Sequence, residues 1–263
     1  MLTLKNVSQT FFPNTVNERK ALRDINLHLD AGDFVTIIGS NGAGKSTVLN
    51  AIAGKIRQDQ GSIDIDGKEV SKLGDDKRAQ FVGRVFQDPM AGTAPNLTIE
   101  ENMSLAERRG MSRGLGMAVN EAKRKRYREE LASLELGLEN RLKAKVGLLS
   151  GGQRQALSLL MATFSEPKIL LLDEHTAALD PQRAELVTRL TKEIVDRHKL
   201  TTLMVTHNMA QALEVGNRLI MMHEGQIILD VSPEQKSGMC AQDLLDEFGK
   251  IKGGQLSDRT LLQ

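Results

Sequence analysis

The sequence predicts an α/β protein with a mixed, largely parallel sheet at its core, an antiparallel β part and an inserted helical segment. Three observations support this prediction. After Pro167, short apolar runs alternate with a helix-like segment, as in parallel strands that are covered on both faces. Near the N-terminus, strict alternation of apolar and polar residues indicates antiparallel strands. Between about residues 88 and 166, the spacing and capping signals are those of helices.

The composition is that of an ordinary globular protein. The 263 residues are 40% hydrophobic and 26% charged, and 35 basic residues against 34 acidic ones leave a formal net charge of +1. This balance gives no reason to expect a nucleic-acid partner. The single cysteine, Cys240, excludes an intramolecular disulfide and favours a reducing compartment. No apolar run reaches the roughly 18–20 residues of a membrane span, and residues 1–12 lack a signal-peptide layout, so neither spanning nor secretion is expected.

The N-terminal quarter is predicted to be β structure with one helix. Alternating residues mark two strands, the first through Leu2, Leu4 and Val7 and the second through Ile25, Leu27 and Leu29. The apolar run over 34–38 predicts a buried strand that ends at Gly39. Residues 48–53 predict a helix that Gly54 terminates, and residues 62–66 predict a further strand.

The middle of the chain is predicted to be helical. Thr98 and Glu101 have the spacing of a capping box, which places a helix start there. Glycines between residues 108 and 120 mark a loop. The basic run over 123–128 is predicted to be the solvated face of a helix, with contact to lipid headgroups or to a partner as the alternative.

The last third of the chain returns to strands. Apolar runs over 169–172 and 203–205 enclose a helix-like segment over 184–197. A strand, a crossover helix and a second strand predict parallel pairing, because parallel strands need such a connection. Residues 218–222 and 226–229 predict two further short strands.

A single domain over residues 1–246 is the simplest organisation, because no repeat or low-complexity linker divides the chain. In this prediction, about 1–87 and 167–230 form the core, including its antiparallel β part. Residues 88–166 form the helical subdomain, and residues 247–263 form a C-terminal tail.

A glycine-rich segment over residues 39–46, GSNGAGKS, fits the phosphate-binding pattern G-x-x-x-x-G-K-[ST] between a predicted strand and a predicted helix. Glycines let backbone N–H groups surround phosphates, and the helix directs its positive end at them. In this pattern Lys45 reaches the β- and γ-phosphates and Ser46 binds Mg²⁺. A dinucleotide-binding motif is excluded because Thr47 stands where a third glycine is required. The predicted nucleotide-binding residues here are Gly39, Ser40, Asn41, Gly42, Ala43, Gly44, Lys45, Ser46 and Thr47.

A second candidate phosphate motif lies over residues 149–153, LSGGQ. Ser150 and Gln153 form a capping box, and Gly151 and Gly152 leave N–H donors exposed at the helix start. A capped helix start and an anion site are both compatible with these residues. The pentapeptide resembles the signature of ATP-binding-cassette (ABC) ATPases, so the sequence is identified as a P-loop NTPase of the ABC type.

Further segments resemble this family in order and spacing. Residues 168–174, KILLLDE, resemble its Walker B strand and catalytic glutamate. The resemblance implies that Asp173 holds Mg²⁺ through water and that Glu174 orients and polarises the attacking water. Gln87 resembles the Q-loop glutamine, which senses Mg²⁺ and joins the two subdomains. His207 resembles the switch histidine that contacts the γ-phosphate.

Two more positions complete the candidate site. Asp180 resembles the D-loop aspartate, and Phe11 resembles the aromatic residue that stacks on adenine, with Phe12 as an alternative. A core or edge-strand role for Phe11 also stays open. His175 departs from the family, because many relatives have proline there, and we expect a structural role for it. A structural role is also expected for His28, His198 and His223.

The resemblance implies ATP and Mg²⁺ as ligands and a head-to-tail dimer of two copies. In such a dimer, the phosphate loop of one copy faces the signature of the other. The residues expected to reach the partner's nucleotide are Ser150, Gly151, Gly152, Gln153 and Asp180.

The implied function is ATP binding and hydrolysis that power substrate translocation by separate integral-membrane permease subunits. The chain would then lie at the cytoplasmic face of the cell membrane through the permease, with a substrate-binding protein as an indirect partner. Met90 would lie in the groove that receives a permease helix, with core packing as the alternative.

The resemblance also favours a direction of transport. Residues 86–95 and 173–180 look similar to a prokaryotic importer subgroup, some of whose members are thought to take up aromatic amino acids. The alternative is a non-transport ABC ATPase acting on ribosomes or DNA. It is disfavoured because each motif occurs once and because no sustained heptads separate Lys45 from Asp173.

Overall fold

The structure, a computed structural model, describes residues 1–111 and 118–251. The chain divides into two compact units, one of Met1–Arg78 with the chain from Leu200 onward and one of Ala79–Lys199. Part of the predicted glycine-marked loop and most of the predicted tail therefore lie outside the described residues. Within the described ranges, no helix is both long enough and apolar enough to cross a membrane.

The first unit contains β1 (Leu2–Phe11), β2 (Arg19–Leu29), β3 (Phe34–Gly39), α1 (Lys45–Ala53), β4 (Gln60–Ile65), β5 (Lys68–Glu69), α2 (Asp75–Arg78), β8 (Thr201–Val205), α7 (Met209–Glu214), β9 (Arg218–His223), β10 (Gln226–Val231), α8 (Pro233–Lys236) and α9 (Ala241–Ile251). The second unit contains β6 (Val82–Val85), α3 (Ile99–Glu107), α4 (Glu121–Ala132), two short 3-10 helices (Leu138–Asn140 and Val146–Leu148), α5 (Gly151–Thr163), β7 (Ile169–Asp173) and α6 (Pro181–His198).

The first unit holds an antiparallel sheet in the order β2-β1-β4-β5. Leu2 pairs with Leu29 on one side and with Ile65 on the other, so the alternation read from the sequence corresponds to one buried face. Leu4, Val7 and Ile25 are buried on the same strands. The predicted antiparallel N-terminal strands are confirmed.

A second set of strands in the first unit has the order β10-β9-β3-β8. β3 runs parallel to both β8 and β9, whereas β10 runs antiparallel to β9. β3 and β8 are buried along almost their whole length, which explains their continuous apolar character. The expected parallel sheet core is therefore present in this unit.

Helix α9 packs on this unit through the side chains of Leu244 and Phe248. They join a cluster with Ile38, Leu219 and Met221. Phe248 is only 1% exposed, although it lies two residues inside the predicted tail. Its burial explains why the helix continues past residue 246.

The second unit is mainly helical around a parallel pair of strands, β6 and β7. Helix α5 is buried over most of its length and packs against α3, α4, α6 and β6. The predicted helical stretch 88–166 lies in this unit together with β6, β7 and α6. β6 and α6 pack on α5, and β7 pairs with β6, so these three elements belong to the same unit.

Candidate nucleotide site

The glycine-rich segment forms a loop between β3 and α1 that requires its glycines. A Cβ atom at Gly39 would lie 2.1 Å from the backbone oxygen of Met222, and one at Gly44 would lie 2.5 Å from that of Ala21. Both glycines have positive φ, at 145° and 101°. Helix α1 begins at Lys45 without a side-chain cap at Gly44. The first N–H groups of α1 are therefore not satisfied by a capping side chain, as an anion site needs.

Lys45 is folded back onto this loop. Its Nζ donates to the backbone oxygens of Gly39, at 2.7 Å, and Ser40, at 3.1 Å, and the side chain is 5% exposed. The next residue, Ser46, is exposed in the first turn of α1. The Lys45 ammonium group and the Ser46 hydroxyl therefore lie next to the loop. These are the two side-chain groups that the phosphate-binding pattern requires.

The β1–β2 hairpin brings a further cation to the loop. The Nη2 of Arg19 donates to the oxygen of Gly42 at 2.8 Å, and Arg19 pairs with Phe11 across the hairpin. Phe11 is partly buried, whereas its neighbour Phe12 is 67% exposed and has a φ of 52°. Both aromatic candidates are thus within this hairpin, and the more exposed ring is that of Phe12. Arg19 was not predicted as a site residue, because nothing in the local sequence signals its contact with Gly42.

His207 lies at the same edge of the first unit as the phosphate loop. Ile37 of β3 pairs with Val205 of parallel β8, and two residues further on these strands lead to Gly39 and His207. The following turn is fixed by Thr206, whose Oγ1 donates to Oε1 of Gln211 at 2.7 Å. The register therefore places His207 beside the start of the loop, where ligands of parallel sheets bind.

The second unit has an equivalent edge. Val85 of β6 pairs with Leu172 of parallel β7, so Gln87 and Glu174 each follow two residues later. Asp173 ends β7, and its Oδ2 lies 2.8 Å from Nη2 of Arg84 in a largely buried ion pair. The structure thus gathers three predicted site residues at one strand edge. Arg84 was not predicted, because its partner is 89 residues away in sequence.

His175 is held in the interior of the second unit, 1% exposed. Its Nε2 lies 2.9 Å from Oγ1 of Thr191, whose hydroxyl donates to the oxygen of Val187 at 2.8 Å. Since that hydroxyl proton is used, the network assigns the imidazole proton to Nε2. Burial lowers the pKa of His175 to about 4, so the ring is neutral. The expected structural role agrees with this arrangement, which anchors the residue after Glu174 to helix α6.

The signature residues form the start of helix α5. Ser150 accepts from the N–H of Gln153 at 3.3 Å, and the Gln153 side chain accepts from the N–H of Ser150 at 3.2 Å, which confirms the capping box. Asp180 caps α6 in the same way by accepting from the N–H of Arg183 at 3.2 Å. A Cβ at Gly152 would lie 3.2 Å from the Arg183 side chain. The starts of α5 and α6 are therefore adjacent.

Arg154 ties the signature helix to the segment after Gln87. Its guanidinium donates to the oxygens of Gly147, at 3.1 Å, and Leu149, at 2.9 Å, and lies 2.9 Å from Sδ of Met90. Met90 is 39% exposed, so its side chain is not a core residue. This link between Arg154 and Met90 was not predicted from the sequence.

The predicted site residues fall into two groups, one in each unit. The first unit carries the phosphate loop, both aromatic candidates and His207, and the second carries the remaining candidates, which are Gln87, Asp173, Glu174, Ser150, Gly151, Gly152, Gln153 and Asp180. A glycine-rich loop between a parallel strand and a helix, with an acidic pair after a buried strand, defines a P-loop nucleoside triphosphatase. The family model "ABC transporter" matches residues 22–177. The chain belongs to this family and is an ATP-binding cassette with ATPase activity.

Known proteins resemble the chain over most of its length. It is 45% identical over 249 residues to a tyrosine transport ATP-binding protein of Clostridioides difficile, covering 94% of this chain and 98% of that protein. It is 34% identical to a spermidine/putrescine import ATP-binding protein of Haemophilus ducreyi, of which it spans 59%. The dimeric cassette MJ0796, solved with ADP and Pi, superposes with a TM-score of 0.75 at 32% identity, covering 89% of this chain and 99% of that one.

Proposed function

We propose that this chain hydrolyses ATP to power the import of a small solute, such as an aromatic amino acid, by a separate membrane permease. The observation that supports this proposal is the 45% identity over nearly the whole of both chains to a protein named for tyrosine transport. Peripheral attachment to the membrane would follow from binding to the permease, and an extracellular binding protein would deliver the solute. Because relatives of two kinds are named for transport, ribosomes and DNA are the less favoured partners.

In this proposal the phosphate loop binds the ATP phosphates and Lys45 neutralises charge on the β- and γ-phosphates. Ser46, Gln87 and Asp173 would hold Mg²⁺, with Asp173 acting through water. Their hydroxyl, amide and carboxylate oxygens are the hard donors that Mg²⁺ prefers. Mg²⁺, when bound, supplies charge neutralisation at the phosphate oxygens. The aromatic hairpin, through Phe11 or Phe12, would contact adenine.

Glu174 would accept a proton from the attacking water, and His207 would align the γ-phosphate. The backbone at Glu174 has φ of 47°, a left-handed conformation that turns the chain sharply after β7. Such a turn after β7 would let the successive carboxylates of Asp173 and Glu174 take separate roles. Phosphoryl transfer depends mostly on such positioning and on charge neutralisation.

A second copy would complete each site by contributing Ser150, Gly151, Gly152, Gln153 and Asp180 across a two-fold axis. An isologous dimer provides two equivalent sites from one sequence. ATP would favour the closed dimer because it bridges donors of both copies, and hydrolysis would remove that bridge.

Uptake of labelled tyrosine tests the proposed function. Cells that lack the chain are complemented with the wild type or with Lys45→Ala, and uptake is measured against competing amino acids. We expect the wild type alone to restore uptake.

In parallel, the tagged protein is purified from membranes in mild detergent. A polytopic membrane protein that co-purifies in stoichiometric amount would support the transport function. Co-purification with ribosomes or DNA alone would instead favour the non-transport ATPase.

A further inference from the structure

The second unit contains an open cavity of ≈ 560 Å³ that the proposed function does not use. It lies where α3 and α5 end and α4 begins, and we call it the α3–α5 pocket. Its charged lining consists of Arg108, Arg109, Lys123, Arg126, Glu107 and Glu166. Four cationic side chains against two carboxylates leave a surplus of positive charge. The volume is that of a site for a small organic ligand.

Glu107 is already engaged by two cations of the lining, so its carboxylate is not a partner for Arg108 or Arg109. Its carboxylate lies 2.7 Å from Nζ of Lys123 and 3.4 Å from the Arg126 guanidinium, and it accepts from the Tyr127 hydroxyl at 2.8 Å. Burial raises the pKa of Glu107, but these partners together outweigh burial and the net shift is downward, so the carboxylate stays ionised. The single charge of Glu107 balances one of the two cations that contact it, so Glu107, Lys123 and Arg126 together keep one net positive charge.

Arg108 and Arg109 are the cations that remain. Within residues 1–111 and 118–251, the Arg108 side chain makes no hydrogen bond or ion pair, and the Arg109 guanidinium donates only to the oxygen of Ala162, at 3.2 Å. Arg109 is largely buried, and burial lowers its pKa. A guanidinium with one protein acceptor for its five N–H donors leaves most of them available to an anion that enters the cavity.

The remaining sources of negative charge do not fully balance the lining, because Arg108 and Arg109 add two positive charges to the one left over from the Glu107 group. The carbonyl ends of α3 and α5 each contribute roughly half a negative charge, and Arg109 already caps α5. Glu166 is exposed at the rim of the pocket. Residues 112–117, which follow the lining residue Met111, contain an arginine and no acidic residue.

We propose that the α3–α5 pocket binds a phosphate-bearing anion. Two guanidinium groups that line one cavity suit a phosphate because their planar N–H pairs match its oxygens. Phe164 and Met111 line the same cavity and would contact an apolar group attached to the phosphate. The phosphate could belong to a soluble phosphomonoester or to a lipid headgroup, and both present the same chemistry to the arginines. This site is separate from the phosphate loop, which lies in the other unit.

Calorimetric titration with phenyl phosphate tests the soluble source. The full chain carries Lys45→Ala in every sample, so that the phosphate loop lacks its ammonium group. We expect saturable binding that Arg108→Gln weakens about tenfold, the loss of one charge-assisted contact. The matched control is Arg141→Gln, which removes an exposed arginine of the same unit outside the cavity and should change binding less than twofold.

Cosedimentation with vesicles tests the lipid source with the same variants. A lipid headgroup would be supported as the ligand by the following result with phosphatidate vesicles. The Lys45→Ala chain and its Arg141→Gln variant bind the vesicles, whereas the Arg108→Gln variant does not. Phosphatidylcholine vesicles, whose lipids carry no net charge, are the comparison. The proposal is overturned if neither probe binds, or if Arg108→Gln and Arg141→Gln weaken binding equally. Circular dichroism of each variant confirms that the fold is retained.

Discussion

Glu174 is the residue on which the proposed chemistry depends most. It follows the last residue of β7 with left-handed backbone geometry, and the register with β6 places it level with Gln87. We expect Glu174→Gln to bind ATP within about threefold of the wild type and to lose at least about a hundredfold in turnover, because the general base is removed. Steady-state ATPase assays and titration with a fluorescent ATP analogue measure the two effects. Near-normal turnover would contradict the assignment.

The neighbouring His175 makes stability depend on pH. Its pKa is about 4 in the folded protein and about 6.5 when the chain is unfolded, so between these values the unfolded chain binds more protons. As pH falls from about 6.5 to 4, protonation of His175 should therefore lower the free energy of unfolding progressively, by about 1–3 kcal/mol in all. Urea unfolding at several pH values measures it.

His175→Gln is the matched variant for this pH dependence. An amide can still donate to Thr191, which the Nε2 of His175 contacts at 2.9 Å, but it does not titrate. The variant should show a shallower loss of stability over the same pH range. An identical slope in both proteins would show that His175 does not contribute.

Elements whose determinants are local were predicted well from the sequence. The strand before Gly39, the helix after it and the two capping boxes at Thr98 and Ser150 each depend on a few consecutive residues. The motifs of the candidate site are local in the same sense. Their grouping at strand edges followed only once the parallel register was known.

Features that depend on distant partners were not predicted. Strand β6 has only four residues, two of which are Gly83 and Arg84, and it is a strand because it pairs with β7. Tyr127 lies within the basic run yet is fully buried, with its ring against Phe164. The run also faces acidic residues of α3, for example Glu100 with Arg124 at 2.8 Å. It is therefore only partly the solvated helix face that composition suggested.

The junction of β3 and α1 should be intolerant of side chains at its first glycine. A Cβ atom at Gly39 would collide with the Met222 backbone, whereas one at Gly67, also at positive φ, would meet nothing within 4 Å. We expect Gly39→Ala to destabilise the protein by more than about 2–3 kcal/mol and Gly67→Ala by about 1–2 kcal/mol. Urea denaturation compares them. Equal losses would show that backbone conformation alone, and not the close approach, demands glycine.

At the scale of the whole molecule, the candidate residues form a phosphate-loop set and a signature set. The proposed pairing of these sets across two copies predicts that nucleotide binding promotes dimerisation. We expect Glu174→Gln with ATP and Mg²⁺ to sediment as a dimer, because unhydrolysed ATP continues to bridge two copies. Lys45→Ala should remain monomeric under the same conditions. Analytical ultracentrifugation separates these states, and a Glu174→Gln protein that stays monomeric at saturating ATP would argue against the head-to-tail dimer without its permease.

The position of β3 between β8 and β9 has a consequence for synthesis of the chain. β3 ends at Gly39, but both of its neighbours begin only at Thr201 and Arg218. At a ribosomal rate of about 5–20 residues per second, β3 waits on the order of ten to thirty seconds for its partners. The continuous segment Ala79–Lys199 leaves the ribosome in that interval and can fold first. The candidate phosphate loop is thus among the earliest segments made and among the last to take its final shape.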